Sequence, residues 1–198
     1  MRLYLFEHCS ICFGVRMAAA LKRLHLQETI VLEDDTETMV RLVGKRRVPI
    51  LVKDDGQPML ESMDMVAYID DLGAPILVGP QRSELTEWAS ATADKTAPLT
   101  WPRYPLLGLP EFGTIAAHDH YVVRKRVRLG DLVELRAKTR ELVDALMPDL
   151  ELLDRLKARL RSTGHYRWTI FACCLCSARQ LWSKACAFHR RSEIILKP

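Results

Sequence analysis

Cysteines at positions 9 and 12 constrain this chain more than any other feature of its sequence. The apolar run 2–6 predicts a short buried strand before them, and the apolar spacing over residues 12–24 predicts a helix after them. We therefore expect the sulfur of Cys9 at the N-terminus of that helix, where free backbone N–H groups and the helix dipole favour an anion. Because the thiolate is the nucleophilic form of cysteine, this position predicts a reactive thiol.

The spacing gives Cys12 a role of its own. One helical turn brings its thiol to Cys9, so that Cys9 can attack a disulfide and Cys12 can resolve the mixed disulfide that results. The alternatives are a structural disulfide or half of a zinc site, but zinc needs two more ligands and the chain has no second Cys-x-x-Cys. We interpret His8 as an ordinary surface histidine, although a protonated ring would add positive charge beside Cys9.

The order of predicted elements indicates an α/β thioredoxin-like N-terminal domain followed by an all-α C-terminal domain. The predicted strands are 2–6, 29–33, 48–52 and 59–60, the helices among them are 12–24, 36–42 and 62–72, and the later helical stretches are 114–128, 132–146 and 150–160. A turn-rich connector lies near residues 73–83. We predict a thioredoxin-like domain over residues 1–75 and a helical domain over residues 76–198.

Two further residue pairs fit a site opposite the cysteines. Thioredoxin-like folds place a cis-proline there, and Val48-Pro49 has the spacing for it; the alternative is an ordinary proline at the start of a strand. Ser62 begins a predicted helix, and its hydroxyl with the first-turn N–H groups would bind a carboxylate while Glu61 would bind an ammonium. A γ-glutamyl group carries both charges, but a plain N-cap beside a surface acid is the alternative.

These motifs resemble the two-domain bacterial glutaredoxins of the glutaredoxin 2 type, in which a glutaredoxin domain precedes a helical domain similar to that of glutathione transferases. The resemblance covers about residues 1–160. The matching stretches are Leu3-Tyr4, His8-Cys9-x-x-Cys12, Asp34-Asp35-x-Glu37-Thr38, Val43-Gly44, Val48-Pro49-Ile50-Leu51, Lys53-Asp54-Asp55, Glu61-Ser62-Met63-Asp64 and Tyr68-Ile69-Asp70.

The resemblance implies a glutathione-dependent thiol–disulfide oxidoreductase that reduces protein disulfides and glutathione mixed disulfides. Cys9 would be the nucleophile and Cys12 the resolving thiol, with glutathione as co-substrate and no metal. The implied glutathione-binding residues are Val48, Pro49, Glu61 and Ser62. The alternatives are a glutathione transferase or a dehydroascorbate-reductase-like enzyme that uses Cys9 on small electrophiles, or a non-enzymatic remnant that misfolds.

The sequence departs from the family between the two cysteines. The family usually has Cys-Pro-Tyr-Cys, whereas this chain has Ser10 and Ile11 in the middle. The change removes an aromatic wall beside the glutathione that the family binds, so we expect the rate and the redox potential to differ while the reaction class is kept. The resemblance leaves open whether Arg46 or Arg47 approaches the glycyl carboxylate of glutathione.

The end of the chain departs further. Four of the six cysteines lie after residue 172, and residues 161–198 hold seven basic residues against one acidic residue. From Thr169 an alternate reading frame encodes, within codon degeneracy, a string that resembles the family's ending. We interpret residues 165–198 as aberrant, the result of a frameshift near residues 160–166. The alternatives are a genuinely divergent tail or a zinc site of Cys173, Cys174, Cys176 and His189.

Charge and hydropathy indicate the remaining properties. The net charge of +4 comes from the tail, and no basic surface interleaved with aromatics precedes it, so we expect no nucleic-acid partner. The basic run over residues 124–128 is expected to be a solvated helix face. No apolar run approaches the roughly 20 residues that cross a bilayer, and no signal peptide is evident. We expect a cytoplasmic monomer whose partners are glutathione and disulfide-bonded or glutathionylated proteins.

Overall fold

A computed structural model describes residues 1–77 and 83–161 of the chain. The strands are β1 (Arg2–Leu5), β2 (Gln27–Ile30), β3 (Ile50–Val52) and β4 (Pro58–Met59). The helices are α1 (Ser10–Leu21), α2 (Thr36–Val43), α3 (Ser62–Asp71), α4 (Ser83–Thr100), α5 (Ile115–Leu129), α6 (Leu132–Ala137) and α7 (Thr139–Arg161). Short 3-10 helices span Tyr104–Leu106 and Pro110–Phe112 between α4 and α5.

The strands form one mixed sheet in the order β2-β1-β3-β4. β1 pairs in parallel with β2 and antiparallel with β3, which itself pairs antiparallel with β4. Alternation along β1 sends Leu3 and Leu5 into a core with α1 and α3, and Tyr4 toward a second cluster that includes Met39 of α2. This thioredoxin-like arrangement, followed by helices alone, confirms the predicted fold class.

The helical part is built around the packing of α4 on α7. Its core consists of Leu85, Trp88, Leu99, Leu146, Leu150 and Leu153. The sequence predicted separate helices over 132–146 and 150–160, and this was wrong, because the first stretch is divided between α6 and α7 at Lys138 and α7 continues through Pro148. Three leucines of that core lie on one stripe of α7 across the proline, so their burial against α4 outweighs the lost backbone hydrogen bond.

The end of α3 is fixed to the connector that leaves it. The buried carboxylate of Asp70 accepts hydrogen bonds from the backbone N–H of Ile76 at 2.9 Å and of Leu77 at 3.0 Å. Lys22 of α1 donates to the backbone oxygens of Asp70 and Ala74, at 2.6 Å each. The predicted boundary between residues 75 and 76 falls inside this connector and stays a prediction.

Some predictions concern residues beyond these ranges. The aberrant segment 165–198 and the alternative zinc ligands lie outside the described residues. In the part of the chain that is described, every helix is too short or too polar to cross a bilayer.

Candidate active site

Cys9 is the N-cap residue of α1, which puts its sulfur at the N-terminus of the helix, as the sequence predicted. Its backbone is extended and its Sγ accepts the backbone N–H of Cys12, with 3.4 Å between the atoms. The two thiols differ in exposure, because Cys9 is half-buried whereas Cys12 is 0% exposed. A substrate can therefore reach the first sulfur, and the second sulfur lies behind it.

The surroundings of the two sulfurs separate their pKa values. The hydrogen bond from the Cys12 thiol is the largest cause that lowers the pKa of Cys9 to about 6; burial opposes it, and backbone hydrogen bonds and the charge of His8 add to it. Burial, reinforced by the hydrogen bond to Cys9, raises the pKa of Cys12 above its ordinary value. At neutral pH the pair thus holds a thiolate at Cys9 and a thiol at Cys12.

His8 is not the surface histidine expected from the sequence. Its side chain is 11% exposed, with Nδ1 at 2.7 Å from Oε1 of Glu111 and Nε2 at 3.6 Å from Oε1 of Glu33. The rings of Phe6 and Phe112 stack on it at centroid distances of 5.5 and 5.4 Å. The expectation was wrong because the helical part of the chain covers this residue.

A buried carboxylate anchors the neighbouring loop. Glu33, which is 1% exposed, accepts hydrogen bonds at Oε2 from Arg46 and, at 3.2 Å, from Arg124 of α5. Arg46 also donates to the backbone oxygen of Glu33. A buried carboxylate needs such partners, because desolvation disfavours its charge. The guanidinium of Arg46 is therefore engaged inside the protein, which favours Arg47 of the two candidates for the glycyl carboxylate of glutathione.

Val48 and Pro49 are joined by a cis peptide bond, as the sequence predicted. Pro49 is buried, and Val48 packs against the same two apolar clusters as Cys9. Val48 and the reactive cysteine thus both lie at the border of these two clusters. Ligand binding at this pair stays a prediction.

Glu61 and Ser62 lie at the start of α3. Ser62 is the first helical residue, and Glu61 is the N-cap residue but makes no side-chain capping bond. The carboxylate of Glu61 instead pairs with Arg47 on the surface, at 3.2 and 3.4 Å. Exposed pairs of this kind contribute about 0–1 kcal/mol, so either partner can turn to a ligand at low cost. Arg47 therefore stays a candidate, and the role of Glu61 and Ser62 stays a prediction.

The basic run in α5 is only partly the solvated face that we expected. Arg126 and Arg128 are exposed, but Arg124 turns toward Glu33. Lys125 lies over the ring of Trp101, with its Nζ at 3.5 Å from the ring centroid. Burial, followed by the charge of Arg124, lowers the pKa of Lys125 to about 8. Arg124 therefore belongs to the contact between the two parts of the chain, whereas Lys125 packs within the helical part.

Two acidic residues of this region, Glu33 and Glu111, were not identified from the sequence. The hydrogen bonds between His8 and Glu111 join residues 103 positions apart, and no local spacing signals such a pair. Across residues 1–77 and 83–161, His, Cys, Asp and Glu form no group of three or more that could hold a metal ion.

Comparisons with known proteins agree with this geometry. Residues 8–72 match the family model described as the glutathione S-transferase N-terminal domain. Glutaredoxin 2 of Escherichia coli strain K12 is 38% identical over 157 residues, which are 79% of this chain and 73% of the relative. A crystal structure of Salmonella typhimurium glutaredoxin 2 in complex with glutathione superposes with a TM-score of 0.74 at 34% identity, covering 78% of this chain and 72% of that chain. The chain belongs to the glutaredoxin 2 family.

Proposed function

We propose that this protein is a glutathione-dependent thiol–disulfide oxidoreductase that works through Cys9 and Cys12. The observation that carries the proposal is the environment of Cys9, which caps α1, receives hydrogen bonds from Cys12 and has a pKa of about 6. The crystallised Salmonella relative holds glutathione, which supports the same co-substrate here. A thiolate at neutral pH with a buried thiol behind it suits dithiol exchange.

The reaction on a glutathione mixed disulfide needs Cys9 alone. The Cys9 thiolate attacks the glutathione sulfur, the S–S bond between glutathione and the substrate protein breaks, and the substrate leaves as a thiolate that takes up a proton. A second glutathione thiolate then attacks the glutathione sulfur bound to Cys9. This step releases oxidised glutathione and returns Cys9 as a thiolate, so one disulfide is reduced for one formed.

The reaction on a protein disulfide also needs Cys12. Cys9 attacks one sulfur of the substrate and forms a mixed disulfide, and the first substrate thiolate leaves. Cys12 attacks the sulfur of Cys9 and gives its proton to the second substrate sulfur, which leaves as a thiol, and a Cys9–Cys12 disulfide remains. Two glutathione molecules then reduce this disulfide and become oxidised glutathione.

We assign glutathione binding to Val48, Pro49, Glu61 and Ser62. Residue 48 offers backbone hydrogen-bonding groups beside the edge of the core that carries Cys9. The first turn of α3 offers N–H groups for a carboxylate, and Glu61 offers a carboxylate for the ammonium of the γ-glutamyl group. The site thus suits a small zwitterionic thiol.

We further propose domains over residues 1–75 and 76–198, and a monomer that acts in the cytoplasm on disulfide-bonded or glutathionylated proteins. The change from strands and helices before the connector that follows α3 to helices alone after it supports the division into two domains. A cytoplasmic location fits the proposed reaction, because the cytoplasm contains the glutathione pool that keeps such thiols reduced. Light scattering on the purified chain tests the monomer.

A glutathione-coupled assay with a protein mixed disulfide and a protein disulfide as separate substrates tests the proposal. Cys9→Ser is expected to abolish both reactions, whereas Cys12→Ser should lose only the second. Cys186→Ser, which removes a thiol outside the motif, is the matched control and should change neither. Turnover that persists in Cys9→Ser contradicts the proposal, and a Cys12→Ser variant unchanged on every substrate favours a monothiol transferase.

A further inference from the structure

Glu111 links the helical part of the chain to the residue that precedes the reactive cysteine. It lies in the 3-10 helix between α4 and α5 and is 0% exposed. Its Oε1 accepts the backbone N–H of His8 at 2.9 Å and lies 2.7 Å from Nδ1 of the same residue. Its backbone oxygen accepts the N–H of Glu33 at 2.9 Å. One buried residue thus holds the loops that follow β1 and β2.

The carboxylate of Glu111 is ionised in this setting. Burial raises its pKa, but the side-chain and backbone hydrogen bonds from His8 outweigh burial and lower the pKa below the ordinary value. An ionised carboxylate only accepts hydrogen bonds, so Nδ1 of His8 carries a proton and donates it. The tautomer and the orientation of the ring are fixed by this contact.

The ring of His8 is enclosed on its other sides as well. Tyr104 and Tyr121 approach it at centroid distances of 4.8 and 5.5 Å, and Glu33 faces its Nε2 at 3.6 Å. The titratable groups that face the ring from the elements packed on it are therefore Glu33, Glu111, Tyr104 and Tyr121. Arg46 and Arg124 lie behind Glu33 and pair with its carboxylate, and Cys9 is the next residue along the chain. The ring has no room to turn away.

We propose that Glu111 is a positioning residue for the nucleophile: through its two hydrogen bonds to His8 it fixes the backbone and the imidazole beside Cys9, and so maintains the thiolate. The inference rests on the proposed function of Cys9. The helical part of the chain then takes part in activating a thiol that lies wholly in the thioredoxin-like part. The negative charge of Glu111 favours the positively charged form of His8, and that positive charge favours the Cys9 thiolate. Removing the charge of Glu111 therefore removes part of the stabilisation of the thiolate.

Glu111→Gln tests this, because the amide keeps the shape and an acceptor oxygen but has no charge. The experiment follows the rate of alkylation of Cys9 by iodoacetamide against pH in the reduced full chain, with peptide mass spectrometry to separate Cys9 from the other cysteines. The expected result is an upward shift of the midpoint and a rate at pH 6 that falls about threefold or more, with the rate at pH 10 unchanged. Glu134→Gln removes the same charge from an exposed pair with Lys138 and should leave the curve unchanged.

A cycle with His8 separates positioning from general damage to the fold. His8→Gln alone should shift the midpoint upward, and Glu111→Gln should add nothing in the His8→Gln background. Glu111→Asp keeps the charge, so it should shift the midpoint less than Glu111→Gln does. If Glu111→Gln fails to fold, as judged by circular dichroism, the His8→Gln and Glu111→Asp curves decide the matter. A midpoint that Glu111→Gln does not move, or that it moves equally without His8, overturns the inference.

These outcomes are distinct from a failure of the proposed function. If the wild-type Cys9 titrates like free cysteine, or if Cys9→Ser keeps its turnover, the proposed function fails and the inference with it. If the wild type shows a Cys9-dependent reaction and a low midpoint while the Glu111→Gln curve matches it, only the role of Glu111 is refuted.

Discussion

The guanidinium of Arg124 donates a hydrogen bond to Oε2 of Glu33, with 3.2 Å between the atoms. Arg124 belongs to α5, and Glu33 follows β2. The carboxylate is 1% exposed whereas the arginine is 41% exposed, so a buried charge meets a cation that reaches the surface. The contact between the two parts of the chain therefore depends on charge as well as on apolar packing.

Glu33→Ala should destabilise the protein strongly. The change leaves Arg46 partly buried without its carboxylate, and removing one partner of a buried ion pair costs about 3–5 kcal/mol. Urea unfolding followed by circular dichroism measures the change in the free energy of unfolding. Glu134→Ala is the control, since its exposed pair with Lys138 is worth at most about 1 kcal/mol. Equal losses in the two variants contradict the argument.

The reactivity of Cys9 should follow a titration with its midpoint near pH 6, because that is where its thiolate forms. Alkylation by iodoacetamide between pH 4 and 10 measures the curve. Cys12→Ala removes the thiol that gives the strongest stabilising bond, so the midpoint should rise in that variant. A wild-type midpoint near the ordinary cysteine value of about 8.5 would count against the assigned environment.

The same shift should make stability depend on pH. A lowered pKa means that folded Cys9 binds fewer protons than unfolded Cys9 between about pH 6 and the ordinary cysteine value of about 8.5. Stability from this group therefore grows as pH rises through that window and is lost as pH falls toward 6. The melting temperature of the reduced wild type, compared with that of Cys9→Ser, should rise with pH over this range. A difference that stays flat contradicts the linkage.

Ile11→Tyr should improve the use of glutathione. Ile11 is 42% exposed beside the reactive cysteine, where the family usually has tyrosine. An aromatic ring at this point would add a contact of about 1 kcal/mol, which lowers KM for glutathione about fivefold. Steady-state kinetics with varied glutathione measures the effect, and Ile11→Leu, which adds no ring, serves as the control. An unchanged KM in Ile11→Tyr would show that glutathione does not approach residue 11.

Trp88 should be a main determinant of stability in the helical part. It is 4% exposed in the core between α4 and α7, and its Nε1 donates to the backbone oxygen of Asp149 at 2.6 Å. Trp88→Ala should cost about 3–5 kcal/mol through the cavity, and Trp88→Phe about 1 kcal/mol through the lost hydrogen bond. Thermal unfolding orders the two variants. A Trp88→Phe variant less stable than Trp88→Ala contradicts this assignment.

The sequence predicts the thioredoxin-like part well because its signals are local. Strand–cysteine–helix order, the Val48-Pro49 pair and the start of α3 at Ser62 each depend on a few neighbouring residues. The surroundings of His8 could not be predicted in this way. They depend on Glu111, which lies beyond α4 in the helical part of the chain, and a single glutamate in a short 3-10 helix has no pattern that marks it as a partner.

The helical part shows a second limit of prediction. A proline usually ends a helix, and the gap between the apolar stretches around residue 148 agreed with that rule. The structure continues α7 because leucines on both sides of Pro148 share one partner, α4. Which of these two tendencies prevails depends on tertiary packing, and that packing is not visible from spacing alone.

Glu111 forms hydrogen bonds with the loops after β1 and β2, and these bonds limit how such chains can be recombined with parts of other proteins. A fusion that keeps residues 1–77 but exchanges the helices for those of another protein retains both cysteines and loses the carboxylate beside His8. Such a chimera keeps the motif without its electrostatic surroundings. The unit that must be inherited whole is therefore larger than the stretch of sequence in which the motif lies.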